Sequence, residues 1–357
     1  MDPASPSPPV TLRAIAQRLG ISHASVSKAL RNDPKIKETT RARVQKMARE
    51  MGYRPNPMAT GLAEYKRTST IRPIQAVLAW FNFWPRPQQL REYKAFNLYW
   101  RGAQSAAEKF GYRLEEFTVN DGVSPARLQN ILLTRNIHGI LIAPLHQTMV
   151  NWLDFEWSYF SVVRLSRATM GLPDFPLVTS AQFDSGVMAL KKMLEHGYER
   201  IGFFGHLTTR WTYLGGFLQE QMISIPKSQQ IPPMLLEETI TDQVLKGSKA
   251  ADEVQARFEK WLEKDQPDAI LTDSHVLALL LERARRRVPE DVAVAALNTL
   301  DTPFSAGLYQ NPEEIGRVAV LVLISLINDN AHGLPEIYRE ILVKGTWEDG
   351  NSLPLRK

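Results

Sequence analysis

The sequence contains no cysteine. It can therefore form no disulfide, no thiolate nucleophile and no thiolate metal site, and nothing in it calls for an oxidising compartment. It also lacks any run approaching the ~18 apolar residues that a membrane-spanning helix needs. Met1 to Pro9 is rich in Pro and Ser without an apolar stretch, which argues against a secretory signal and reads as a disordered lead. No Gly-x-Gly-x-x-Gly follows a strand pattern, and no Gly-x-x-x-x-Gly-Lys-Ser/Thr loop occurs to cradle a phosphate. The seven histidines are scattered without pairing at helical spacing. The expectation is a cytoplasmic protein with no membrane partner, no metal site and no cofactor, and without an enzyme's machinery.

What is present is uneven. Residues 10–67 carry 13 Lys and Arg against Asp33, Glu38, Glu50 and Glu64, a net of +9 in a chain of net +5. By charge alone this segment is either a solvated basic surface or a surface that meets a polyanion. Its pattern is helical. Thr11 can cap a helix over Leu12 to Leu19, with Leu12, Ile15, Ala16 and Leu19 on one face. Gly20 ends it. Ser22 can cap a second helix whose Val26, Ala29 and Leu30 face inward. A third runs from Glu38 to Met51, with Val44, Met47 and Ala48 apolar and Gly52 placed as its C-cap. Two helices around a tight glycine turn, with a third beneath, follow the helix-turn-helix pattern. The alternative is a small structural domain.

Residues 56–73 form a linker in which Asn56 can cap and Pro57 can start two helical turns. Such a helix is too short to stand alone in water. From Ile74 the pattern alternates. Apolar runs at 75–81, 138–143, 159–163, 201–205, 268–272 and 292–297 read as buried parallel strands. Amphipathic helices are expected near 94–110, 125–135, 184–196, 248–264, 275–287 and 312–328, with a last strand near 339–347. This predicts an α/β body of two doubly wound parallel sheets behind the all-α module. The domains are then 1–9, 10–55, 56–73 and 74–357. Arg283, Arg285, Arg286 and Arg287 read as the basic end of a helix.

On the second helix, His23, Ala24 and Lys28 occupy the outward face near the N-terminal end, where residues reach base edges in a major groove. Ser25 and Ser27 suit phosphates, and Thr11, Ser22, Arg31, Tyr53 and Asn56 are counted with them as DNA contacts. The run Gly52-Tyr53-Arg54-Pro55-Asn56-Pro57 and then Ala59-Thr60-Gly61-Leu62-Ala63 resembles the lac repressor (LacI/GalR) family of bacterial regulators, without gaps from Thr11 to Ala63. The resemblance implies that His23, Ala24 and Lys28 read bases, and that Ala59 and Leu62 enter the minor groove from a hinge helix. A hinge leucine would wedge between base pairs and stabilise a bend.

The body resembles the family more loosely, through Phe183-Asp184-Ser185-Gly186, His196-Gly197-Tyr198, Pro267-Asp268-Ala269-Ile270 and Pro289-Glu290-Asp291-Val292. This implies a periplasmic-binding-protein-like body with an effector, such as a sugar, between two lobes, and a homodimer on operator DNA. Carried over by position, the effector contacts are Asp184, Tyr213, Asp273 or its neighbour Thr272, and Asn298, with Asp184 and Asn298 on opposite lobes. Tyr213 stands where the family usually has arginine. Among the aromatics near the first strand's exit, most read as core or dimer contacts, and Trp80 and Tyr99 are the candidates for facing the cleft. The expected function is a ligand-responsive, sequence-specific transcription regulator, a repressor. The alternatives are a two-lobed binding protein and an architectural DNA-binding protein without effector response.

Overall fold

The structure, a computed structural model, describes residues 12–30, 36–51, 53, 76–119, 124–145, 152, 154–167, 171–209, 211–237, 244 and 249–356. The expected hinge helix, with Asn56, Ala59 and Leu62, lies outside the described residues, as do Thr11, Arg31 and Gly52.

The N-terminal module is three helices, α1 (Leu12–Leu19), α2 (His23–Leu30) and α3 (Glu38–Glu50). Its core is Ile15, Ala16, Val26, Ala29, Val44 and Ala48, with Leu12, Leu19, Leu30, Met47 and Tyr53 packed around it. Gly20 takes φ +66°, the left-handed conformation that lets α1 stop and the chain turn. Arg43 of α3 donates to the Leu19 carbonyl at the end of α1 (3.2 Å), so the third helix also ties the turn.

Among the described residues the body contains two six-stranded sheets. The first has strand order β11 (Glu340–Val343), β5 (Leu177–Ser180), β4 (Ser161–Arg164), β3 (Gly139–Ile142), β1 (Ala76–Asn82) and β2 (Tyr112–Thr118), all parallel. The second is β12 (Thr346–Glu348), β10 (Gly307–Tyr309), β9 (Ala293–Ala296), β8 (Ala269–Thr272), β6 (Ile201–His206) and β7 (Met234–Leu236). Only β12 runs antiparallel to its neighbour in that sheet. Alternate residues of β1 supply opposite faces of the first sheet. Leu78 and Trp80 join one core, and Ala79 and Phe81 join the other.

Helices α4 (Gln89–Glu92), α5 (Lys94–Lys109) and α6 (Pro125–Thr134) follow the early strands. Helices α7 (Gln182–Glu195), α8 (Tyr213–Ser224), α9 (Lys249–Asp265), α10 (Val276–Arg283) and α11 (Pro312–Asn328) follow in turn. The chain crosses between the lobes three times. After β5 it enters α7, which packs on α8 and the second sheet. After β10 it enters α11, which packs on α5 and the first sheet. After β11 it passes Lys344 and Gly345 into β12.

Two expectations are corrected here. The single strand expected over 339–347 is two strands in different sheets, because Lys344 and Gly345 carry the third crossover. The helix expected to reach residue 287 ends at Arg283, so only that arginine lies in its last turn. Arg285 is left-handed (φ 54°) and Arg287 instead pairs with Asp291 at 3.1 Å.

Candidate functional site

Helix α2 begins as the sequence requires. The Ser22 hydroxyl accepts from the Ser25 amide (3.1 Å), an N-cap that satisfies one of the helix's unpaired donors. Val26 and Ala29 are buried against the three-helix core, and Lys28 is exposed. An exposed cation thus stands on the helix whose opposite face is fixed by packing. His23, Ala24 and Ser27 lie on the same short helix. Tyr53 is half-buried against the module's core and its amide donates to the Ala48 carbonyl (2.9 Å).

The second constellation gathers where strand ends of the two sheets meet the crossovers. Tyr213, at the start of α8, is 5% exposed. Its hydroxyl accepts from Gln310 Nε2 (2.6 Å) and lies 3.3 Å from the Ser180 hydroxyl at the end of β5. Ser180 and Gln310 flank two of the crossovers, so this phenol ties the hinge. Asp273 follows β8. Its Oδ1 accepts from the His206 amide (3.2 Å) and pairs with His206 Nδ1 (3.4 Å), while its Oδ2 is buried with no hydrogen-bond partner among the described residues. Gly205 makes this approach feasible, because a Cβ there would stand 2.3 Å from Asp273 Oδ1. Asp301, beyond β9, accepts from the Lys94 and Ala95 amides (2.7 and 3.2 Å) at the start of α5 in the other lobe. Asn298 donates to Asp301 Oδ2 (3.0 Å). Tyr99 on α5 has its phenol raised above the ordinary range by burial, then by the neighbouring Tyr213 and Asp301.

The profile of the "Periplasmic binding protein-like domain" matches residues 190–346, and that of the "Bacterial regulatory proteins, lacI family" matches residues 11–56. The chain therefore carries a lacI-family DNA-binding domain ahead of a periplasmic-binding-protein-like domain. Among its relatives, the HTH-type transcriptional regulator MalR of Streptococcus pneumoniae is 24% identical over 346 residues, covering 94% of this chain and 98% of the relative. The HTH-type transcriptional repressor CytR of Escherichia coli is 26% identical over 338 residues, covering 88% and 89%. The transcriptional regulator CelR in complex with cellobiose shares the fold at TM-score 0.57 and 18% identity, covering 96% of this chain and 99% of that one. Among the described residues, no helix is long and apolar enough to cross a membrane, and no group of three metal-ligating side chains occurs.

Within the periplasmic-binding-protein-like body the expected effector residues do not all converge. Trp80 is corrected outright. It is 1% exposed, meets Trp100 edge-on at 5.4 Å between ring centroids, and sits in the core under α5 and α11, so neither of its faces is open for stacking. Asp184 is corrected in placement. It starts α7, which packs on the second lobe, so it does not oppose Asn298 from the first; it is half-exposed and pairs with Lys344 at 3.7 Å. Asn298 spends its amide internally, on Asp301 and on the Leu300 amide (3.1 Å). Tyr213, Tyr99 and Asp273 do share one neighbourhood. Sequence reasoning missed His206, Ser180, Gln310 and Asp301. His206 and Ser180 end strands, a position from which cleft residues are drawn in parallel sheets, and that signal was legible for His206 at the end of an expected strand.

Burial pushes the Tyr213 phenol up to about 12, with the Asp273 charge adding to it and the Ser180, Gln182 and Gln310 bonds opposing. Below pH ~10 the phenol is neutral in both folded and unfolded chains. As pH climbs from ~10 towards 12 the unfolded chain ionises first, so stability falls across that window. Tyr213→Phe should lower neutral-pH stability by about 1–3 kcal/mol, because one Gln310 N–H loses its acceptor while the other keeps the Leu297 carbonyl (2.6 Å). It should also flatten part of the alkaline decline, the rest remaining with Tyr99. Urea midpoints measured from pH 7 to 12 check both; an unaltered alkaline slope would remove Tyr213 from the account.

Proposed function

We propose that this chain is a sequence-specific transcription regulator, a repressor, whose affinity for operator DNA is set by a small molecule held between its two lobes. The observation that carries the reading is the exposed Lys28 on a capped helix packed into a helix-turn-helix core, in a chain whose basic charge concentrates there. Lys28, His23 and Ala24 read bases; Ser22, Ser25, Ser27, Tyr53, Thr11 and Arg31 position the module on phosphates; Asn56, Ala59 and Leu62 form the minor-groove hinge. A single module covers one half-site, so the acting species is a homodimer on a near-palindrome. The setting is the cytoplasm, and the chain performs no catalysis. The domain limits are 10–55, 56–73 and 74–357.

The effector is a hydroxyl-rich neutral molecule of the sugar class. Asp273 Oδ2 offers a buried acceptor, Tyr213 offers no bidentate fork for a phosphate, and the complex of the CelR relative holds cellobiose. Where lobe closure couples to DNA binding, effector and operator must each alter the other's affinity by the same factor.

Binding selection over random duplexes tests the reading directly. One near-palindromic sequence should emerge, and equal affinity for all duplexes at fixed salt would reduce the protein to an architectural binder. Lys28→Ala should relax preference at one position per half-site, at about 1–3 kcal/mol. Equal loss on every sequence would put Lys28 on phosphate instead.

A further inference from the structure

We propose that Asp301 is a built-in latch, a carboxylate of the second lobe that caps α5 of the first and holds the lobes together by the chain's own groups. A helix N-terminus leaves several amides unpaired and carries partial positive charge. In α5 the residue in the cap position, Tyr93, does not cap the helix with its side chain. The cap comes from more than 200 residues away in sequence: Asp301 Oδ1 accepts from Lys94 N (2.7 Å) and Oδ2 from Ala95 N (3.2 Å).

The donor loop is stiffened for this task. Asn298 Nδ2 holds Asp301 Oδ2 (3.0 Å), Asn298 Oδ1 accepts from the Leu300 amide (3.1 Å), and the Thr302 hydroxyl donates to the Asn298 carbonyl (3.1 Å). The latch differs in kind from the bonds of Tyr213 to Ser180 and Gln310. Those two residues sit at crossovers, where the chain itself joins the lobes. Lys94 opens α5 and Asp301 lies on the loop after β9, and neither sits at a crossover, so parting the lobes would pull these bonds apart. The consequence for regulation rests on the proposed effector response: a ligand whose own oxygen takes the two α5 amides would displace Asp301, exchanging an internal latch for an external one.

The absence of cysteine allows a direct test in the full chain. Ser105→Cys on α5 and Lys260→Cys on α9 place one spin label on an exposed site of each lobe, and electron–electron double resonance reads the distance without ligand or DNA. Asp301→Ala should shift the distance distribution to include a longer population, and amide exchange at Lys94 and Ala95 should accelerate. Asp301→Asn keeps an acceptor but loses the charge, so it should fall between; it also serves if the alanine variant does not fold. Faster exchange with an unchanged distance distribution would make Asp301 a helix cap only and overturn the latch, as would no change in either. A distance shift with unaltered operator affinity would leave the latch standing and count against the effector coupling.

Discussion

Raising salt from 50 to 200 mM should lower operator affinity by about a thousandfold or more. The module spanning residues 10–67 has net charge +9, and the proposed homodimer would bring two of them to one operator. Arg18, Lys28, Lys37, Arg43, Lys46 and Arg49 are all exposed. Each phosphate neutralised releases counterions, so the slope of log affinity against log salt should be about −0.9 per phosphate contact on duplex DNA, and 6–10 contacts give a loss of about 10³–10⁵ over that range. Lys46 spends part of its charge on Glu50 at 3.9 Å, an exposed pair worth little in water, so it remains available to DNA. Replacing any one phosphate-binding lysine by alanine should reduce the slope by about one. A titration series showing a slope near zero would remove the backbone-neutralising role and with it the reading of this module as an operator binder.

Gly316→Ala and Gly186→Ala should each destabilise the body by about 3 kcal/mol or more, beyond the usual cost of overpacking. The reason is what the new methyl group would meet. A Cβ at Gly316 on α11 would lie 2.0 Å from the Tyr99 carbonyl oxygen on α5, and one at Gly186 on α7 would lie 2.1 Å from the Tyr213 carbonyl oxygen on α8. Both obstacles are backbone, so no rotamer change relieves them and the paired helices must separate. The reciprocal glycines, Gly102 on α5 and Gly216 on α8, meet backbone oxygens at 1.9 and 2.0 Å. Each lobe is thus built on a helix pair at glycine contact. Thermal melting should fall by roughly 10 °C, at about 2–4 °C per kcal/mol in a body of this size. Gly20→Ala provides the contrast. Its Cβ would meet nothing within 4 Å and only the left-handed φ of +66° resists it, so about 1 kcal/mol is expected. Equal melting points for Gly316→Ala and Gly20→Ala would refute the close-contact account.

Local sequence encodes the basic module far more fully than it encodes the glycine contacts between helices. Local spacing in residues 10–53 carries nearly the whole module: the apolar face of α1, the Ser22 cap and the Gly20 turn all act within a few residues of one another. The same holds for the interior strands, such as 201–206 and 269–272, whose continuous apolar runs announce burial on both faces. Edge elements escaped, and so did the short interior strands β5 and β10, whose four and three residues make no run of their own. Strand β2 reads Tyr-Arg-Leu-Glu-Glu-Phe-Thr and is largely half-buried, so it shows no apolar run. Helix α8 begins Tyr-Leu-Gly-Gly, and the glycines that make its packing close also weaken its local helical signal.

The site separates along the same line. From its sequence alone, this chain determines that a basic helix-turn-helix precedes an α/β body of parallel sheets, because periodicity, caps and turns are properties of neighbouring residues. The family resemblance adds the expectation that Tyr213, and Asp273 or its neighbour Thr272, contact an effector. Tertiary structure alone decided that Trp80 is core, since the face a strand residue takes depends on which helices cover the sheet. It decided that Asp184 sits with the second lobe, since the crossover after β5 sends its helix there. And it decided that Asp301 caps a helix some 200 residues earlier, because a carboxylate's partner is set by where the two chains of strands bring their ends together, which no local pattern encodes.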